Sequence, residues 1–198
     1  MLFLQGGQAS EVFFIVNGSA KLTMTNTGGR EVVTDVCGPG DWIGAMAILS
    51  KSSHPASAIA LTSNTEALAL SQREFEELVR FNSGFNAEVL RELAWELRIS
   101  SFRQFELAAD DVAGRVARRL LELVERFGET DETAGTALFK SPITQQELAD
   151  WVGVSRQAVV KELRRLRSSG VIETRGSLYT IFRTDVLETN AEALGSLV

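Results

Sequence analysis

The chain has very little of the residues on which most metal and covalent chemistry depends. Its 198 residues include one cysteine, Cys37, and one histidine, His54. A single cysteine excludes an internal disulfide and a four-cysteine iron–sulfur cluster. A single histidine excludes a multi-histidine metal site. A Ser-His-Asp triad would have to use His54, and no nucleophile elbow surrounds it. No catalytic residue, metal or cofactor is therefore expected, and the chain does not read as an enzyme. No apolar run approaches the roughly 18 residues of a membrane span. The opening Met1-Leu2-Phe3-Leu4 is too short for a signal peptide and lacks a basic flank. A soluble, cytoplasmic protein is expected.

Positive charge is also scarce. The net charge is −6, which by itself argues against a nucleic-acid partner. The charge is unevenly divided, however. Residues 1–110 hold 13 acids and 8 bases, and residues 111–140 hold 6 acids and 5 bases. Residues 141–183 reverse the sign, with seven bases (Arg156, Lys161, Arg164, Arg165, Arg167, Arg175, Arg183) against four acids (Glu147, Asp150, Glu162, Glu173). Such a local basic excess suits phosphate contact there and little elsewhere.

The basic segment has a specific form. Thr144 and Glu147 make a capping box that starts a helix, with Leu148, Ala149 and Val152 on its apolar face. Gly153 permits a sharp turn. Ser155 caps a second helix with Val159, Leu163 and Leu166 on its inner face. Arg156, Gln157, Lys161, Arg164 and Arg165 lie opposite. This is a helix-turn-helix whose second helix, residues 155–168, suits the major groove of DNA. Residues 170–182 then read as strand, Arg175-Gly176-Ser177 turn and strand, the wing of a winged helix.

Upstream, residues 1–70 read as short strands between glycine turns: 12–16 ended by the hairpin signal Asn17-Gly18, then 20–25, 31–36, 56–61 and 67–70. The spacing suits an antiparallel barrel or roll. The first strand begins at Leu2 with nothing before it to pair, so an N-terminal strand or helix is expected to be missing ahead of it. Ser71 and Glu74 form a second capping box, opening a helix with Phe75, Leu78 and Val79 on one side. Asn82-Ser83-Gly84 is expected to break it. A long helix follows from Phe85 to about Ala109. Trp95, Ile99 and Phe102 form one apolar face, expected to pack on the chain's own barrel. Leu90, Ala94, Leu97, Ser101, Gln104 and Ala108 keep a heptad spacing that suits a partner helix. Asp111 caps the next helix, with Val112, Val116, Leu120, Leu123 and Phe127 inward and Gly128 at its end. Residues 129–137 are polar and read as a loop. Residues 185–198 read as a short acidic helix or a frayed tail. The fold class is thus α+β: an antiparallel β-roll of jelly-roll type (1–84), a dimerisation helix (85–110) and a C-terminal winged helix-turn-helix domain (111–198).

This organisation resembles the CRP/FNR family of bacterial transcription regulators along nearly the whole chain. The most specific stretches are Phe14-Ile15-Val16-Asn17-Gly18-Ser19-Ala20-Lys21-Leu22, Gly38-Pro39-Gly40-Asp41-Trp42-Ile43-Gly44, the hinge at 111–115, and the helix-turn-helix itself. The resemblance implies a homodimer on a two-fold site in double-stranded DNA, with RNA polymerase as a further partner. It places Arg156, Gln157 and Lys161 where the family reads bases. Arg156 suits guanine O6 and N7, and Gln157 suits adenine where cyclic-AMP-type members carry a cytosine-reading glutamate. Lys161 stands in place of a frequent arginine and lacks its planar fork. Thr144, Gln145, Ser155 and Arg175 are implied phosphate contacts.

The same resemblance marks an effector pocket at Gly44, Ala45, Met46, Ser57, Ala58, Ser100 and Ser101. Cyclic-nucleotide-binding members use a glutamate for the ribose and an arginine for the cyclic phosphate. Ala45 and Ala56 occupy those places here, leaving Ser57 and backbone amides. Burying a phosphate without a cationic partner is costly, so cyclic AMP is not the expected ligand. His54 could carry positive charge beside this segment, although a lone loop histidine is more often just solvated. The cluster-binding branch needs several N-terminal cysteines, and the haem branch needs axial ligands that one loop histidine does not supply. Cys37 reads as structural, with an oxidation switch as its alternative. The leading expectation is a DNA-binding regulator whose sensor is silent or tuned to another, unidentified small-molecule effector. The alternatives are a cyclic-nucleotide-responsive regulator with an altered cassette, and a small-molecule-binding module whose winged helix serves protein contacts.

Overall fold

The computed structural model describes residues 1–109 and 111–191. The chain divides into two compact units, Met1–Gln104 and Phe105–Val198, and passes from one to the other inside its longest helix.

The first unit holds two three-stranded antiparallel sheets. Strands β1 (Glu11–Asn17), β4 (Trp42–Ile43) and β6 (Glu66–Ser71) form one in the order β4-β1-β6, and β2 (Ala20–Thr25), β3 (Glu31–Cys37) and β5 (Ser57–Ala60) form the other in the order β3-β2-β5. β1 and β2 do not pair with each other, so Asn17-Gly18 is not the hairpin its sequence suggests. It is the turn that carries the chain from one sheet to the other. Gly18 has φ +78°, and a Cβ there would lie 2.6 Å from Thr65 Cα. That backbone approach admits only glycine and fixes the change of sheet. Near the N-terminus, Leu2 and Phe3 bridge to Ala58 through backbone hydrogen bonds of 2.9 and 3.0 Å. A five-residue helix, α1 (Ala45–Leu49), follows Gly44. Val12, Ala47, Ile48 and Phe75 form one core cluster, and Ile15, Ala20, Cys37, Ile43 and Ala58 form another. Cys37 is 5% exposed within the second, the position of a structural cysteine.

Helix α2 (Gln72–Phe81) starts with the Ser71–Glu74 capping box. Its break is a single residue, Asn82, rather than the expected three. Asn82 Oδ1 accepts from Phe85 N–H at 3.0 Å, which caps the next helix and draws Ser83 and Gly84 into it. That helix, α3 (Ser83–Ala109), has 27 residues and is about 40 Å long. The face packed in its own unit is Phe85 and Val89. Trp95, expected there, is instead 47% exposed, with Arg98 over its ring, while Ile99 and Phe102 are half-buried. Leu90 and Leu97 are 61% and 69% exposed, and Ala94, Ser101, Gln104 and Ala108 are exposed beside them.

The second unit is built on α4 (Val112–Phe127), α5 (Gln145–Val152) and α6 (Arg156–Ser168), with α7 (Thr184–Ala191) packed on α4. Asp111 caps α4 by accepting from Gly114 N–H at 2.8 Å. Val116, Leu120 and Leu123 are buried, while Val112 and Phe127 are half-buried. The segment expected to be a polar loop is a β-hairpin, β7 (Gly128–Asp131) and β8 (Thr136–Lys140). Asp131 ties its turn by accepting from Thr133 and Ala134 backbone amides at 3.0 Å. β8 pairs with β10 (Leu178–Ile181) of the wing, giving a four-stranded sheet β7-β8-β10-β9 with β9 (Ile172–Arg175) at its edge. The polar residues are tolerated because the inward positions, Ala137 and Phe139, carry the burial, and Phe139 stacks on Tyr179 at 5.1 Å.

A buried ion cluster lies at the base of this unit. Glu106, 2% exposed, accepts from both Arg118 and Arg119, and Arg119 is 3% exposed. Arg119 also pairs with Glu122 and lies over the Trp151 ring at 5.3 Å. Removing one partner of a buried pair leaves an uncompensated charge. Glu106→Ala is expected to cost about 3–5 kcal/mol, read in urea unfolding followed by circular dichroism. A loss no larger than that of an exposed surface variant would mean the cluster is solvated.

Candidate nucleic-acid interface and effector pocket

The helix-turn-helix is set by three local devices visible in the sequence. Thr144 N–H and Oγ1–H donate to Glu147 Oε2 at 2.8 and 2.9 Å, and Thr144 Oγ1 accepts from Glu147 N–H at 3.2 Å. Gly153 ends α5 in the left-handed region, at φ 77° and ψ 36°. Ser155 Oγ accepts from Ala158 N–H at 3.2 Å and starts α6. Inward, Leu148, Ala149, Val152, Val159, Leu163 and Leu166 are all buried.

The seven bases of residues 141–183 separate into two groups. Arg165 pairs with Glu162, Arg167 donates to Thr174 Oγ1, Arg175 pairs with Glu173, and Arg183 pairs with Asp185. Arg156, Lys161 and Arg164 are exposed on α6 with no hydrogen-bond or ion-pair partner among the described residues, and Gln157 is exposed beside them. Gln157, Lys161 and Arg164 fall at helical spacings of four and three, one face of α6. Thr144, Ser155 and Arg175 are exposed and Gln145 is half-buried. The hydroxyls of Thr144 and Ser155 already serve as caps, so their neighbouring backbone amides are the freer donors. Arg164 was legible only as part of the outer face. Its lack of an acidic neighbour, in contrast to Arg165, sets it apart.

The first unit contains a cavity of about 390 Å³ between its sheets and α3. Gly44, Ala45 and Met46 line it, with Phe3, Trp42, Phe75, Ala56 and His54. Ser57, Ala58, Ser100 and Ser101 are not in its wall. Ser57 Oγ accepts from Gln5 N–H at 2.9 Å, Ala58 lies in the core, Ser100 is exposed, and Ser101 Oγ donates to Leu97 O of its own helix at 3.0 Å. The opposite wall comes from α3: Phe85, Val89 and Leu93, and Glu88, Glu92 and Glu96. Sequence reading missed these residues, although each set repeats every four positions, the spacing of one helix face.

His54 is not solvated, contrary to expectation. It is 3% exposed, its ring stacks on Phe3 at 3.7 Å, and burial lowers its pKa, which favours the neutral imidazole. Its backbone is fixed by bonds of 2.8 and 2.9 Å to Gly6 and Gly7. Among the described residues no lysine or arginine lines the cavity.

A helix-turn-helix with free bases on its second helix and a wing behind it, preceded by a β-sheet unit with a cavity, defines a winged DNA-binding protein with an attached sensor fold. The family description "Cyclic nucleotide-binding domain" matches residues 1–82, and "Crp-like helix-turn-helix domain" matches residues 114–189. The chain is 28% identical over 190 residues to a CRP-like cAMP-activated global transcriptional regulator of Mycobacterium tuberculosis, covering 96% of this chain and 84% of that protein. It is 29% identical over 182 residues to the cAMP-activated global transcriptional regulator Vfr of Pseudomonas aeruginosa, covering 90% and 84%. Its fold is similar to that of FixK2 from Bradyrhizobium japonicum, with a TM-score of 0.84 at 21% identity, covering 100% of this chain and 93% of that one.

The chain belongs to the CRP/FNR family. It is a homodimeric DNA-binding transcription regulator with a recognition helix, and not an enzyme.

Glu96 reports on the cavity. Its pKa is raised, first by burial and then by the charges of Glu92, Asp35 and Asp41. An acid whose pKa rises on folding binds its proton more tightly in the folded state. Stability therefore falls as pH rises from the ordinary carboxylate pKa through the raised one. Glu96→Gln is expected to raise the urea midpoint at neutral pH and to lose that advantage in acid below the ordinary carboxylate pKa. A glutamine variant no more stable than the parent at neutral pH would show that this carboxylate is well hydrated.

Proposed function

We propose that the chain regulates transcription in the cytoplasm by placing α6 in the major groove of a two-fold operator, under a sensor that does not read cyclic AMP. Residues 1–84 serve as the effector-sensing domain, 85–110 as the dimerisation helix and 111–198 as the DNA-binding domain. Arg156, Gln157 and Lys161 read bases. Thr144, Gln145, Ser155 and Arg175 position the phosphate backbone, and Arg164 joins them. RNA polymerase is the further partner. The observation that carries the DNA reading is the division of the bases of residues 141–183: Arg156, Lys161 and Arg164 on α6 lack acidic partners, while Arg165, Arg167, Arg175 and Arg183 are engaged. Free cations on one helix face are what phosphate and guanine require.

The cavity supports the second half of this reading. A cyclic phosphate entering it would meet Glu92 and Glu96 and a neutral His54, with no cation in the wall. The competing reading, control by cyclic AMP, draws on the matched cyclic nucleotide-binding domain and on relatives named as cAMP-activated.

Fluorescence anisotropy on a pool of two-fold DNA sites, with and without cyclic AMP and at two salt concentrations, separates them. Tight, salt-dependent binding unchanged by the nucleotide is expected. Binding that appears only with cyclic AMP would transfer the conclusion to the competing reading. Arg156→Ala should cost about 1–3 kcal/mol of specific affinity and relax one base position. Arg164→Ala should weaken all sequences alike and lower the salt slope by about one. Unaltered sequence preference in Arg156→Ala would remove that residue from base reading.

A further inference from the structure

A recognition helix and a wing can serve one duplex only if they are held in register with each other. Here both belong to one stretch of chain, and their relative placement is set where α6 hands over to β9. Backbone bonds fix the base of that junction. Gly170 N–H donates to Arg167 O, Val171 N–H to Leu166 O and Phe182 N–H to Val171 O, at 3.0, 3.0 and 2.9 Å. Val171 and Ile172 are buried beneath it. Further out, less holds the hairpin. β9 is the edge strand of its sheet, and the tip, Arg175-Gly176-Ser177, is exposed.

Among the described residues, one side-chain hydrogen bond crosses from α6 to this hairpin. Arg167 Nη1, on the last turn of the helix, donates to Thr174 Oγ1 at 2.7 Å. Thr174 pairs with Tyr179 across the ladder. Burial raises the Tyr179 pKa and the Arg167 charge opposes that rise, so the guanidinium lies over the Thr174–Tyr179 rung. The acceptor is a neutral hydroxyl, so the bond balances no charge. What it supplies is a geometric tie, directly before the wing tip. Arg175 is the next residue. It pairs with Glu173 at 2.9 Å, with side chains 77% and 46% exposed. An exposed pair of this kind contributes little and yields readily to a phosphate.

We propose that Arg167 is a positioning residue for DNA binding: through Thr174 it holds the wing tip in register with α6, so that Arg175 meets a phosphate of the duplex that α6 reads. This role rests on the proposed placement of α6 and Arg175 at DNA. Arg167 itself makes no DNA contact, because its guanidinium is turned to the hairpin. Without the tie the hairpin pivots about the backbone bonds at its base, and Arg175 leaves the phosphate. Base reading by Arg156, Gln157 and Lys161, in the first half of α6, does not depend on it.

Anisotropy of the full chain on a two-fold site selected from the DNA pool, over a range of salt, tests this. Thr174→Val keeps the side-chain shape and removes no charge. It is expected to weaken binding about five- to tenfold per half-site at about 0.1 M salt, and to lower the salt slope by about one per half-site. A neutral substitution then reads as the loss of a phosphate contact. Arg167→Met should match it, and the two together should lose no more than either alone. Arg175→Ala should give the same loss, and adding Thr174→Val to it should change nothing further. Thr174→Ser keeps the hydroxyl and should bind as the parent does. Sequence preference should be unaltered throughout, and circular dichroism establishes that each variant is folded. An unchanged salt slope in folded Thr174→Val would overturn the proposal, as would additive losses in either double variant. Arg175→Ala binding like the parent would also overturn it, by taking the wing off the phosphate, and would leave the α6 reading to stand on the Arg156 and Arg164 variants. A parent chain without affinity for DNA would remove both.

Discussion

Desolvated carboxylate is the constraint that governs both units, and the two resolve it in opposite ways. Glu106 is buried with two guanidinium groups, Arg118 and Arg119, and Arg119 also reaches Glu122 and the Trp151 ring. This ties the C-terminal end of α3 to α4 and to the first helix of the helix-turn-helix. Such a cluster is geometrically demanding, because each partner is tolerated only while the others are in place. The same helix carries Glu96 into the cavity of the first unit, where burial and the charges of further acids raise its pKa. One glutamate organises a unit by being paired. The other lies beside further acids in a cavity wall where, among the described residues, no lysine or arginine appears.

That contrast separates architecture from function. Natural proteins tolerate unpaired charge mainly where a ligand or a reaction makes use of it. The α6 face shows the same pattern with the opposite sign. Arg165, Arg167 and Arg175 are matched inside the unit, and the unmatched bases of residues 141–183 are left on the outer surface of one helix. The candidate DNA interface is therefore defined by cations that their own unit leaves unmatched on one face of α6.

Much of the fold was legible because short-range chemistry decides it. The capping boxes at Ser71 and Thr144, the cap at Asp111 and the Gly153 turn are local, and the helices begin and end where those residues place them. Two errors share one cause, which is that pairing partners are not local. Asn17-Gly18 has hairpin chemistry, but Thr62 and Thr65 crowd the turn and β1 and β2 go to different sheets. Residues 128–140 are too polar to alternate clearly, and their strand identity comes from β10, forty residues on. The pocket was half legible. Gly44, Ala45 and Met46 were placed by resemblance, whereas the α3 wall escaped notice because glutamates at helical spacing usually mark a solvated face. Only the position of the cavity reveals that Glu92 and Glu96, unlike the exposed Glu88, are half-buried in its wall.

The heptad stripe completes the account of α3. At about 100° per residue, Leu90, Ala94, Leu97, Ser101, Gln104 and Ala108 project from the side of the helix opposite Glu88, Glu92 and Glu96. Leu90 and Leu97 are 61% and 69% exposed in the single chain, an apolar stripe with no cover from the chain itself, and the family is homodimeric. The dimerisation role proposed for α3 would use this stripe, since heptad spacing is what a parallel helix pair reads. It would leave the opposite side of the same helix, with Glu92 and Glu96, to the cavity of its own unit.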